Sequence, residues 1–175
     1  MKALDLSRVD ATLGGYSSGF VDGPYACFCP FKTYIGPVGG IRSKLSVDKN
    51  HLTAYYNPKL TCIHENAWIN VLDDIITLQS LLLIDFSTFD NQLRGYSDVI
   101  RVGRYAYLAP LRYDQYSYSG KLIRLYLGSI DIGKTVGMVT NKATRGIHDL
   151  MTVIDLCKHD SRLKGFTGIF NGKLV

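Results

Sequence analysis

The chain carries one short pattern three times, and this repetition limits its fold more than any other feature. An apolar–Asp–apolar triplet opens each copy: Leu4-Asp5-Leu6, Ile84-Asp85-Phe86 and Ile154-Asp155-Leu156. A second aspartate follows at Asp10, Asp90 and Asp160, and then a leucine at Leu13, Leu93 and Leu163. Next comes a Gly-aromatic-hydroxyl triplet: Gly15-Tyr16-Ser17, Gly95-Tyr96-Ser97 and Gly165-Phe166-Thr167. The first two copies run on in register at a spacing of 80 residues, through Gly23 and Gly103, Tyr25 and Tyr105, Pro30 and Pro110, and Gly40 and Gly120. The third follows the second at a spacing of 70, from Asp85 to Asp155. A long-period repeat implies similar units that bury one another's faces. A residue present in every copy is then expected to be structural, because an active site occurs once. Asp5, Asp85, Asp155, Asp10, Asp90, Asp160, Gly15, Gly95 and Gly165 fall in this class, the aspartates as acceptors of turn backbone.

The second copy is the easiest to read. Tyr96 to Val102 is a short strand, and Val102-Gly103-Arg104 a tight turn in which glycine accepts positive φ. Tyr105 to Ala109 is a second strand, with Tyr105, Tyr107 and Ala109 on one face. Pro110 has no N–H to give a ladder and ends it. A polar, tyrosine-rich loop, Tyr113 to Ser119, leads to a third strand, Lys121 to Leu127. Met151 to Leu156 closes the unit and opens the next. The first copy reads likewise, with Asp22-Gly23 as its turn, Tyr25 to Cys29 as its second strand and Ile41 to Val47 as its third. The third copy stops after a further Asn-Gly turn signal, Asn171-Gly172. Asn66 to Gln79 departs from this pattern. It places Trp68, Val71, Leu72, Ile75 and Ile76 at helical spacing, as an inserted helix before the last strand of the first unit.

The expected fold is mostly β: antiparallel four-stranded units in one repeat domain over 1–175. Two units are complete (about 4–83 and 84–153) and a third is begun (154–175). The Gly-aromatic opening strand and the Asp-Gly-x-Tyr hairpin of Asp22 to Tyr25 resemble the kelch-like and related β-propeller families. The resemblance implies that the units are propeller blades. Overlapping first and last strands would compete for one place in a ring, so the array is expected to be incomplete. Its edges would then need cover from a partner chain or further blades.

Composition narrows the function. With 46% hydrophobic and 20% charged residues the chain is globular rather than disordered. The net charge of +5 is spread in isolated pairs such as Arg101 with Arg104 and Lys121 with Arg124, so a nucleic-acid partner is not expected. No apolar run is long enough to cross a bilayer as a helix, and the first residues do not read as a secretory signal. Cys27, Cys29, Cys62 and Cys157 are spaced without a disulfide framework, which places the chain in an intracellular, reducing compartment.

Three constellations invite chemistry. Gly128-Ser-Ile-Asp-Ile-Gly133-Lys134-Thr135 matches the phosphate-loop pattern, in which backbone N–H groups cradle phosphates, the lysine reaches them and the threonine holds magnesium. It sets Ile130, Ile132 and Asp131 where phosphates would lie, and Val136-Gly137-Met138 does not continue as a helix. Cys27 and Cys29, with further donors in Cys62-Ile63-His64-Glu65, could supply four zinc ligands, but a single intervening residue between Cys27 and Cys29 is not the usual spacing. Some propellers are glycosidases. Here the non-repeated acids Glu65 and Asp98 have no recognisable partner, and the histidines pair with no nucleophile. No cofactor and no metal is therefore expected, and no enzyme. The resulting reading is a non-catalytic interaction and structural module that binds other protein subunits, with Tyr113, Tyr116 and Tyr118 as its contact candidates. Its alternatives are a nucleotide-binding protein and a glycosidase-like enzyme.

Overall fold

The computed structural model describes residues 6, 10, 12–35, 53–64, 81–128 and 149–172. Ten strands lie among them: β1 (Tyr16–Asp22), β2 (Tyr25–Pro30), β3 (Lys32–Ile35), β4 (Thr53–Tyr56), β5 (Lys59–His64), β6 (Leu81–Asp85), β7 (Tyr96–Val102), β8 (Tyr105–Pro110), β9 (Lys121–Tyr126) and β10 (Met151–Asp155). They form two four-stranded antiparallel sheets, β1-β2-β5-β6 and β7-β8-β9-β10, and one small hairpin, β3-β4. The mostly β expectation is met at this level. The inserted helix expected at Asn66–Gln79 lies outside the described residues.

The two sheets repeat in detail. The first strand of each is bulged at the same place, between Tyr16 and Gly19 and between Tyr96 and Asp98. The extra residue sharpens the local twist. Both hairpin turns use a left-handed glycine, Gly23 (φ 55) and Gly103 (φ 60). At the end of each last strand the aspartate caps a single 3₁₀ turn: Asp85 Oδ1 accepts from the Ser87 N–H (3.0 Å), and Asp155 Oδ1 from the Cys157 N–H (3.1 Å). Asp10, Asp90 and Asp160 each take the N–H two residues on, from Thr12, Gln92 and Arg162. These are Asx turns. Asp5 lies outside the described residues.

One sequence expectation needs correction. The third strand of the first sheet is Lys59–His64, hydrogen-bonded between β2 and β6, not Ile41–Val47. The uninterrupted spacing of 80 therefore ends after Pro30. Pro58, not Gly40, stands where Gly120 stands: the Pro58 carbonyl accepts from the Phe86 N–H (3.1 Å) as the Gly120 carbonyl does from Leu156 (3.0 Å). Lys59 pairs with Asp10 as Lys121 pairs with Asp90. The displaced stretch begins in the β3-β4 hairpin. Its closing pair Lys32↔Tyr56 recurs in the second unit as one isolated bridge, Arg112↔Tyr118.

A second correction concerns the cysteines. Cys27 and Cys62 face each other across β2 and β5 and are joined by a disulfide, whereas Cys29 and Cys157 are free thiols. Wide sequence spacing hid a pair that strand register makes adjacent.

The core lies between the two sheets. Alternation along the strands gives each sheet two faces. One face of the first sheet (Tyr25, Cys27, Cys29, Leu60, Cys62, Leu82, Ile84) shares a single buried cluster with one face of the second (Tyr96, Val99, Ala106, Leu108, Ile123, Leu125). The contact is fixed by polar bonds: the Ser17 hydroxyl donates to the Tyr96 carbonyl (3.0 Å), the Val99 N–H to the Ser18 hydroxyl (3.0 Å), and Arg101 pairs with Asp22 (2.8 Å). Among the described residues no helix is long and apolar enough to cross a membrane.

Candidate protein-interaction face

The second sheet has another face, and it is built differently. Strand register puts Ile100, Tyr105, Tyr107, Leu122, Arg124, Tyr126, Thr152 and Ile154 on it. The corresponding positions of the first sheet are Phe20, Tyr25, Cys27, Leu60, Cys62, His64, Leu82 and Ile84, most of them fully buried against the second sheet. Leu82 has become Thr152, and the Cys27–Cys62 pair has become Tyr107↔Arg124. An apolar packing face has thus been replaced by tyrosine, arginine and threonine. Among the described residues no third sheet packs on it.

Its side chains are organised by their neighbours. Tyr105 and Tyr126 face each other across β8 and β9 with ring centres 5.2 Å apart. The Arg124 guanidinium lies over the Tyr105 ring (5.1 Å) and donates to the Thr152 hydroxyl (3.3 Å). Arg104 donates to the Tyr126 hydroxyl (3.4 Å), a bond that raises its pKa further above the usual guanidinium value. Its charge is therefore fixed at any working pH. Stacked and hydrogen-bonded arginines keep less side-chain freedom than free ones. Strand register adds one carboxylate to this face, Asp98 opposite Ala109.

Beside the second sheet lies the start of a further strand position. Residues 166–172 belong to the third copy and lie along β7: the Ser97 hydroxyl donates to the Phe166 carbonyl (2.7 Å), and Asp98 Oδ2 accepts from the Ile169 N–H (3.3 Å). These contacts reproduce how β7 lies along β1. Unlike Tyr16–Asp22 and Tyr96–Val102, however, 166–172 pairs with no second strand among the described residues. Exposure differs between the units at matching positions. Leu93 is fully buried while Leu163 is 39% exposed, Tyr56 is 5% and Tyr118 46% exposed, and Phe170 is 87% exposed.

The positions singled out from sequence fall as follows. The ring of Tyr118 rests on Gly165, where a Cβ would stand 2.6 Å from its Cδ1; Tyr56 rests on Gly95 in the same way (2.7 Å). Both glycines are left-handed (φ 74 and 66), so no other residue fits without strain. Gly15 shares that conformation (φ 66). Tyr118 thus joins one copy to the next, with Arg112 over its outer side (4.2 Å). Tyr113 is half-buried, and only Tyr116 stands fully free, at 84% exposure, beside a turn capped by Asp114. Of the phosphate-loop pattern only Gly128 is described. A Cβ there would lie 2.6 Å from the Tyr126 hydroxyl, at the far end of that side chain. Gly133, Lys134 and Thr135 lie outside the described residues. The sulfurs of Cys27 and Cys62 are bonded to each other rather than free to hold zinc.

Tyr105, Tyr107, Arg124 and Tyr126 were not expected as contact residues. Their signal was in the chain, as the alternation Tyr-x-Tyr and Arg-x-Tyr on neighbouring strands. It becomes readable only when Tyr56-Asn-Pro-Lys-Leu60 is aligned with Tyr118-Ser-Gly-Lys-Leu122. Comparison of the chain with protein-family models, curated proteins and solved structures finds no match.

Proposed function

We propose that this chain is a non-catalytic interaction module, built from β-propeller-type units and working as a subunit of a larger protein assembly. The observation that carries this reading is the exchange of a packing face for a tyrosine–arginine face between two otherwise matching sheets. Packing alone would favour apolar residues there, as in the first sheet. Tyrosine and arginine are the residues enriched where proteins bind proteins, because they combine large contact area with directional polar ends. The propeller reading is supported by the four-stranded units, their left-handed hairpin glycines and the side-by-side placement of β1 and β7. Enzymatic readings draw no such support: of the repeated aspartates, Asp85 and Asp155 accept from turn backbone, Asp10 and Asp90 also pair with lysine and Asp160 with Arg162. The test is the native mass of the chain isolated gently from its source. A stoichiometric complex with one or more other proteins is expected. A chain that runs alone at its monomer mass and turns over a glycoside or binds a nucleoside triphosphate would overturn the proposal.

A further inference from the structure

Three sulfurs stand on one face of the first sheet. Cys27 lies opposite Cys62 across β2 and β5, and Cys29 is two residues along β2, so alternation returns it to the same side. That face belongs to the core cluster between the sheets, together with Val99, Ala106 and Leu108 of the second sheet. All three cysteines are buried there, and the Cys29 thiol donates to the Tyr96 carbonyl of β7 (3.9 Å). The matching positions of the second sheet are Tyr107, Ala109 and Arg124, so none of the three sulfurs recurs on it.

We propose that these sulfurs form a redox lock gated by the packing of the two sheets. The Cys27–Cys62 bond holds β2 to β5, the second sheet shields it, and only a parting of the sheets exposes it to a thiol reductant. The lock depends on no partner protein.

Opening the bond takes two electrons, which a dithiol supplies. One of its thiolates attacks the sulfur of Cys27 or Cys62 along the S–S axis, and the other cysteine leaves as a thiolate and takes up a proton. The reductant's second thiol then displaces the mixed disulfide. The products are two cysteine thiols and a reductant oxidised to its own disulfide. Burial of both sulfurs denies the attacking thiolate its approach while the sheets are packed. Cys29 is the thiol already beside the bond. Burial raises it to about 12, so it keeps its proton and does not attack. One contact thus shields the bond from outside thiols and disarms the inside one. Reduction removes a cross-link between residues 35 apart in sequence. Such a link restrains chiefly the unfolded chain, so the reduced first sheet opens more readily. A brief parting of the sheets in the presence of a reductant becomes a lasting loosening.

The test uses the full oxidised chain in native buffer. Reduction of Cys27–Cys62 by dithiothreitol is followed by acid quench, maleimide labelling and peptide mass mapping. Alkylation of Cys29 by iodoacetamide is followed in a parallel sample without reductant. Both reactions should run at least about tenfold slower in native buffer than above the urea midpoint, because both wait for the sheets to part. Leu108→Ala should speed the two by the same factor. So should the milder Ser17→Ala, which removes the hydroxyl bonded to the Tyr96 carbonyl and keeps the test decisive if Leu108→Ala does not fold. Tyr116→Ala should speed neither. The reduced chain, held under dithiothreitol, should exchange its β2 and β5 amides at least about tenfold faster than the oxidised one. Reduction as fast in native buffer as in urea would overturn the proposal. So would variants that speed Cys29 alkylation without speeding reduction, equal amide exchange in the oxidised and reduced chains, or four free cysteines in the unreduced chain.

Discussion

Tyr16, Tyr96 and Phe166 occupy one position in three copies, and they differ by a single oxygen atom. The Tyr16 hydroxyl shares a hydrogen bond with the Thr61 hydroxyl (2.7 Å). In the second unit Thr61 is replaced by Ile123, so the Tyr96 hydroxyl is fully buried with no protein partner. Burial pushes the Tyr16 phenol up to about 12 and raises that of Tyr96 well above its ordinary value, so both are neutral groups in the fold. A buried hydroxyl without a partner costs about 1–3 kcal/mol, whereas a satisfied one contributes about 1 kcal/mol. Tyr96→Phe is therefore expected to stabilise the protein by about 1 kcal/mol and Tyr16→Phe to destabilise it by a similar amount. Urea unfolding of the two variants side by side reads the difference; equal effects of one sign would refute the explanation. The cysteines permit a second check at this scale. Alkylation of the unreduced, unfolded chain should mark Cys29 and Cys157 and leave Cys27 and Cys62 unmarked, because only the latter two are bonded. In the folded chain Cys29 should react far more slowly than Cys157, since burial raises its thiol to about 12.

At the scale of elements, the third strand of each sheet is tied to the unit's opening turn by one ion pair, Lys59 with Asp10 and Lys121 with Asp90. The Lys121 ammonium and the Gln92 N–H hold the Asp90 carboxyl below its ordinary pKa. At Asp10 burial opposes the charge, but bonds from Lys59 and Thr12 outweigh it and again lower the value. A carboxyl depressed in the fold contributes stability above its unfolded pKa, near 4, and loses it as the pH falls through the folded value. Stability should thus decline below about pH 4. Asp10→Asn and Asp90→Asn should each lower the urea midpoint at neutral pH and flatten that acid decline; parallel pH profiles for variant and parent would count against the pair. The third unit shows the rule by its exception. Asp160 takes its own neighbour Arg162 instead (2.6 Å), in the absence of a third-strand lysine among the described residues. Much of this was legible in the sequence: the repeated aspartates, the glycine turns, and β1, β2 and β7 to β10. The third strand of the first unit was not. Ile41 to Val47 alternates as well as any strand, and periodicity carries no record of an inserted hairpin. What distinguishes Lys59 is its distant partner Asp10. The disulfide escaped notice for the same reason, and so did the outer face, whose meaning depends on comparing Cys62 with Arg124.

For the whole molecule, the two faces of the second sheet make opposite demands, and neighbouring residues of one strand can test them. Leu108 is fully buried within the cluster that both sheets share. Tyr107, next to it, points the other way, onto the face with no sheet upon it among the described residues. In an array of units each contact belongs to two neighbours, and stability is the sum of the units and of the interfaces between them. Leu108→Ala empties part of such an interface, and should cost about 2–5 kcal/mol. It should also speed amide exchange in β2 and β5 of the first sheet as well as in β9, because opening either sheet exposes the common core. Tyr107→Ala removes a half-exposed ring and should cost less than about 1 kcal/mol in the isolated chain, with no change in exchange in the first sheet. In the complex the order should reverse. On the proposed reading Tyr107→Ala then removes contact area within the interface, and truncation of such a residue weakens binding by about 2 kcal/mol or more. Leu108→Ala should leave affinity within a few-fold once allowance is made for the unfolded fraction. A Tyr107→Ala chain as unstable as Leu108→Ala would mean that the face is already covered by the chain itself. The tyrosine–arginine surface would then be a core of unusual composition rather than a place for a partner.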